Sequence, residues 1–170
     1  MFVSESFLIG SAVDKKAEII EKTPDSLDVY NSDINFIACA NHFQGNELLH
    51  SKGNIEQLNT SASPYRYNRL MQLLNDDHKN TVQKTVDILR DNKGQNGTDI
   101  GMGNEKALNQ FMSHHAIVFE PQKLKVCVST SPWQLGEFIC YDLKKVFALK
   151  GMKKDQEINE TNLTIAADPF

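Results

Sequence analysis

Phe36-Ile37-Ala38-Cys39-Ala40 runs directly into Asn41-His42-Phe43, and further along Ser63-Pro64-Tyr65-Arg66-Tyr67-Asn68-Arg69 opens a second ordered segment. The first stretch predicts an apolar strand that ends in an amide. The second predicts a helix: Ser63 is a candidate N-cap, Pro64 suits a first helical position, and Tyr67, Leu70, Met71 and Leu74 recur at helical spacing behind them. A carboxamide offers two N–H donors without charge, and an arginine in the first turn of a helix adds fixed positive charge. Together they have the chemistry to hold a developing oxyanion. Arg66 would lie against the helix dipole, at a cost of about 0.3–1 kcal/mol. Arg69 falls three residues on, on the same side, so an anion beside the two arginines is the functional expectation and a solvated surface pair the plain one.

Outward from this pair, the chain reads as strands, then helices, then strands. Phe7-Leu8-Ile9, Ala17 to Ile20, Leu27 to Tyr30 and Ile34 to Ala40 are short apolar or alternating runs separated by Asp14-Lys15 and Pro24-Asp25, the pattern of an antiparallel meander. Gln44 to Thr60 holds too few apolar residues to specify an element and is expected as loop. A second helix follows from Val82, Val86 and Leu89 on one face, stopped by Asp91-Asn92-Lys93-Gly94. Gly94 to Gly103 holds four glycines in ten residues and opens onto 104–108, a short helix in expectation. Ala116 to Phe119, Leu124 to Val128 and Phe138 to Leu143 read as strands, with Glu120-Pro121-Gln122-Lys123 as a hairpin turn and Ser131-Pro132 as a loop. The tail over 150–170 is polar.

The expected fold is therefore α+β: a single domain over 1–170, with strands over about 7–41 and 115–143, two helices over about 64–91, and a mainly antiparallel sheet carrying the helices on one face. Apolar side chains on both sides of the late strands call for a second partner layer.

With 170 residues, 40% hydrophobic and 24% charged, the chain has an ordinary globular composition. Its net charge of −4 and the lack of a basic, aromatic-interleaved stretch set nucleic acid aside. No run approaches membrane-spanning length, and 1–10 lacks the pattern of a signal peptide, which leaves the compartment undetermined. Cys39, Cys127 and Cys140 are odd in number and lie on apolar segments, so buried thiols are expected rather than a disulfide framework. Cys39 embedded in its apolar run reads as a small core residue rather than a nucleophile. His42 has no second histidine or carboxylate at a metal-like interval and reads as half-buried at a sheet edge. His114-His115, adjacent on a strand, would point to opposite faces and bind no common metal. Gly101-Met102-Gly103 lacks the preceding strand and third glycine of a dinucleotide loop, so no cofactor is expected.

The order and spacing of Ser4-Glu5-Ser6-Phe7-Leu8-Ile9-Gly10, Glu21-Lys22-Thr23-Pro24, Ala40-Asn41-His42-Phe43, Ser63-x-x-Arg66-x-x-Arg69-Leu70, Ser113-His114-His115-Ala116 and Ser129 to Gly136 resemble the C-terminal half of the isopenicillin-N acyltransferase family. These are N-terminal-nucleophile hydrolases, more distantly similar to the choloylglycine hydrolases. The resemblance spans nearly the whole chain. It implies an αββα sandwich and a precursor whose self-cleavage frees a cysteine that attacks an amide or acyl thioester, with the new α-amine as base. Asn41 matches the oxyanion asparagine and Arg66 the supporting arginine. Ser4, His42, Arg69 and His115 are the expected substrate contacts. The nucleophile is then expected upstream of Met1, so this stretch alone should be inert and its partners would be the small-molecule substrate and the N-terminal half of the same enzyme. A homodimer through an uncovered apolar face is a further expectation. The alternative is a non-catalytic binding module using the loops over 44–60 and 94–103.

Overall fold

The computed structural model describes residues 5–75, 79–132 and 134–148, with the backbone alone of Thr161–Ile165. The chain is mixed α+β, with two small antiparallel sheets and four α-helices among the described residues. The first sheet is the expected meander: β1 (Glu5–Ser11), β2 (Lys16–Lys22) and β3 (Leu27–Tyr30) pair in sequence order. Lys15, at φ 54°, makes the left-handed corner between β1 and β2, and Ser11 and Asp14 close that turn through their side chains. The register stacks Phe7, Ile20 and Val29 on one face, which faces outward, while Ile19 and Glu21 on the other face are fully buried.

The meander stops at three strands. Ile34 to Ala40 makes no ladder among the described residues, which corrects the expectation of a fourth strand ending at Asn41. Side chains take the place of a neighbouring strand there: the Gln44 amide donates to the Ala38 carbonyl at 2.9 Å, and the residues after it are held by carboxylates and an amide. Apolar composition suits either arrangement and does not say which partner the backbone finds.

Four helices form. The first, α1 (Lys52–Thr60), lies in the stretch expected as loop. It has no strong apolar stripe, and is set instead by Ser51, whose side chain caps the Asn54 N–H, and by the buried side chain of Asn54 itself. The second, α2 (Ser63–Leu74), begins one residue earlier than expected, with Ala62 at the cap position and Pro64 in the first turn. Ser63 is thus not the cap, because its hydroxyl is bonded to His42. The third, α3 (Val82–Leu89), carries the anticipated apolar face behind a Thr81 cap. Residues 104–108 form turns rather than a helix, and α4 (Leu143–Ala148) follows directly on the strand Phe138–Asp142.

The second sheet runs β4 (Ile117–Glu120), β5 (Lys125–Ser129), β6 (Phe138–Asp142), β7 (Thr161–Ile165), all antiparallel neighbours. A 3-10 turn over Pro121–Lys123 with Leu124 at φ 53° joins β4 to β5, where the hairpin was expected. Val118, Cys127, Phe138 and Cys140 form a core with Ala116 and with Val86 of α3, flanked by Val82 and Leu89. So the helices do not share one sheet, and α3 is the helix that covers this one. Cys127 and Cys140 are direct cross-strand partners and are disulfide-bonded, which overturns the expectation of three free thiols; Cys39 alone is free. Beside them the Arg90 guanidinium donates to the carbonyls of Gln134, Leu135 and Gly136 at 2.9, 3.3 and 2.9 Å and fixes that turn. The opposite face, with Ile117 and Phe119, points outward, like the Phe7 face of the first sheet.

Candidate functional site

The run Asn41-His42-Phe43-Gln44-Gly45 is anchored at every position, by side chains from α2, α1 and β2. Arg66, in the first turn of α2, donates through Nη2 to Asn41 Oδ1 at 2.7 Å and through Nη1 to the Glu105 carbonyl at 2.6 Å. His42 Nδ1 is hydrogen-bonded to Ser63 Oγ at 2.8 Å, and its ring stands edge-on to Tyr67 with centroids 5.4 Å apart. Asn54 of α1 clips the Phe43 backbone from both sides, accepting from its N–H at 2.7 Å and donating to its carbonyl at 3.0 Å. Glu21 of β2 takes the N–H groups of Gln44 and Gly45, each at 2.8 Å, one per carboxylate oxygen. Asp28 of β3 continues the series, accepting from the Glu47 N–H at 2.8 Å. Its carboxylate presses so closely on Gly45 that a Cβ there would lie 2.2 Å from Oδ2, which is why this position takes glycine.

These anchors leave one feature free. Because Asn41 Oδ1 is occupied by the guanidinium, its Nδ2 carries two N–H donors with no acceptor among the described residues, at the wall of a cavity of about 840 Å³. Cys39, Ala40, His42 and Phe43 from the same run, Glu5, Ser6 and Phe7 from β1, Thr23 just after β2, and Ser51, Gly53, Asn54 and Gln57 around α1 line the rest. Arg66 stands behind Asn41 and does not line the cavity itself, so its charge reaches a ligand through the polarised carboxamide.

Electrostatically the site is neutral at its centre. Burial, and then the positive charge of Arg66, lower the pKa of His42, so the imidazole stays uncharged near neutral pH. Burial and then Glu21 raise that of Cys39, which keeps the thiol protonated. Burial pulls Arg66 down while Glu105 opposes it, and a guanidinium remains charged under either influence.

The other expected contacts divide. Arg69 does not join Arg66: its guanidinium is bidentate with Asp91, Nε to Oδ2 at 2.9 Å and Nη2 to Oδ1 at 2.8 Å, with both side chains partly buried, so it is neutralised away from Asn41. It sits instead at a separate cleft between α2 and α3. His114 and His115 precede β4 rather than lying on a strand, are both exposed and lie outside the lining of the Asn41 cavity, so His115 is not one of its contacts. Ser4 lies outside the described residues. No cluster of three or more His, Cys, Asp or Glu side chains suited to a metal occurs among the described residues. No helix there is long and apolar enough to cross a membrane.

Glu21, Asn54, Ser63 and Gln57 were missed. Glu21 was the legible one: a carboxylate that shares a strand face with Ala17 and Ile19 needs backbone donors or a cation. The glycine-rich loop is tied to the same scaffold, with Gly94 packed under the Tyr65 hydroxyl and the Gln95 N–H donating to that oxygen at 2.9 Å. No protein-family model, no curated protein and no solved structure matches this chain.

Proposed function

We propose that this chain carries the oxyanion-binding part of a cysteine N-terminal-nucleophile amidohydrolase or acyltransferase, with Asn41 as the donor and Arg66 as the group that polarises and orients it. The observation that carries the reading is the Arg66 contact to Asn41 Oδ1, which leaves the Asn41 Nδ2 protons at the cavity wall. A carbonyl oxygen gaining charge in that cavity would meet a fixed donor backed by a full positive charge, the arrangement that acyl transfer rewards most.

The attacking thiol is not one of the cysteines described. Cys127 and Cys140 are bonded to each other in the second core, and the Cys39 thiol is held protonated beside Glu21. The nucleophile therefore comes from polypeptide outside these residues, and the chain on its own is inert. Both sheets turn apolar residues outward, Phe7, Leu8, Ile9 and Val29 on the first and Ile117 and Phe119 on the second, which supports an αββα sandwich completed by a further layer from the same enzyme, with a second copy of the chain as the competing cover.

The test is the protein expressed from its uninterrupted gene. Intact mass should reveal two chains, the second beginning with a cysteine that an acyl-transferring, thiol-directed probe labels. Asn41→Ala should then lower acyl transfer about 10²–10³-fold with self-cleavage intact. An uncleaved product without a labelled amino-terminal cysteine sinks the proposal.

A further inference from the structure

The far side of the Asn41 cavity is built by α1, and the sequence of that helix assigns its residues different tasks. Asn54 spends its whole carboxamide on the Phe43 and Leu49 backbone, which locks the helix to the site loop. Gln57, three residues on and therefore on the same face, also lines the cavity. Its backbone carbonyl is used by Ser61, but its side-chain amide is half-buried and has no hydrogen-bond partner among the described residues. Gly53 between these and the Ser51 cap leaves open space where a side chain would stand. Among the described lining residues no lysine or arginine occurs, and the one acidic lining residue, Glu5, stands directly across the strand pair from Lys22.

We infer that Gln57 is a specificity-determining residue of this cavity, and that the ligand is an uncharged acyl compound with a second polar group beyond its acyl carbonyl. The acyl oxygen faces Asn41 Nδ2, and the second group, a donor–acceptor such as another amide, pairs with the Gln57 carboxamide. The apolar stretch between lies along Phe7, Ala40 and Phe43. An anionic end finds no cation in the wall and loses its hydration without return. The neutral His42 and protonated Cys39 are consistent with such a ligand. This inference rests on the proposed function only for the role given to Asn41.

Three synthetic probes separate the claims, with binding to the 170-residue chain followed by isotope-edited NMR. N-hexanoylglycinamide carries two amides, N-propylhexanamide one, and N-hexanoylglycine a carboxylate. The two-amide probe should bind about 3–10-fold tighter than the one-amide probe, the size of one neutral hydrogen bond. The carboxylate probe should be the weakest. Gln57→Leu, with Gln57→Met as a second variant should the first fold poorly, should erase the preference for the second amide and leave N-propylhexanamide unchanged. A preference that survives both substitutions, or no binding by any probe, overturns the inference. If Asn41→Ala leaves all three affinities unchanged while the Gln57 effect holds, the oxyanion reading fails and this one stands.

Discussion

Replacing Glu21 with glutamine is the sharpest perturbation of the site that does not touch the site. The side chain is fully buried, and its two oxygens accept from two successive backbone N–H groups at 2.8 Å. A glutamine of the same shape keeps one acceptor and turns an N–H₂ toward the other donor. One charge-assisted bond, worth about 1.5–3 kcal/mol, disappears and a buried N–H is left unpaired, so E21Q should lose about 2–4 kcal/mol. For a chain of this size that is a fall of roughly 5–15 °C in the melting midpoint. Urea denaturation followed by circular dichroism gives the free energy, and the Asn41 side-chain amide resonance reports whether the loop has shifted. Asp28→Asn supplies the scale, since the Glu47 N–H that Asp28 holds is exposed and its replacement should cost clearly less. If E21Q changes stability by less than about 0.5 kcal/mol, the carboxylate is not what fixes this loop, and the account of how Asn41 is positioned is wrong.

Arg69→Ala should cost about 1.5–3 kcal/mol by leaving the partly buried Asp91 unpaired, measured by the same denaturation, while the Asn41 amide resonance stays in place because the two arginines serve different sites. The lowered pKa of His42 sets a pH dependence: the unfolded chain, with histidine near 6.5, binds the proton more readily than the fold does. The contribution is fully present above pH about 6.5 and is lost as pH falls below it, so melting midpoints should drop on acidification and do so less in His42→Gln. Reduction of the Cys127–Cys140 bond, which closes a segment with a sequence separation of 13, should remove about 3 kcal/mol, read as a lower melting midpoint in dithiothreitol than in buffer.

The elements that were legible were those whose stability comes from their own pattern. The meander announced itself through alternation and turn residues, and α3 through Val82, Val86 and Leu89 at one face. What stayed hidden was decided by partners far along the chain. Helix α1 is a polar segment held by Ser51 and Asn54, so no apolar stripe marked it. Ile34 to Ala40 has the composition of a strand but takes side-chain partners instead. Arg66 and Arg69 look alike in sequence, and only Asp91 separates them by neutralising one. The disulfide was within reach: with β5 and β6 antiparallel, the register that pairs Ser129 with Phe138 also sets Cys127 opposite Cys140. An odd cysteine count hid it, though a count says nothing about which two residues face each other.

The anchoring of 41–45 also determines which substitutions can inform about chemistry. Holding five consecutive residues through contacts from β2, α1 and α2 offsets the entropy of a loop that would otherwise sample many conformations. Glu21, Asn54 and Ser63 are buried in that scaffold, so changing them disturbs fold and site together, and lost function there would have no single cause. Asn41 is exposed, Gln57 half-buried and uncommitted, and Arg66 bound to a side chain and a carbonyl at the surface. Substitution at Asn41 or Gln57 should leave the fold within about 1 kcal/mol while altering what the cavity does, whereas Arg66, which donates two hydrogen bonds, also carries part of the support. A site whose working groups are peripheral and whose supports are buried keeps its geometry under changes in ligand preference, because what orients Asn41 is not what touches the rest of the ligand.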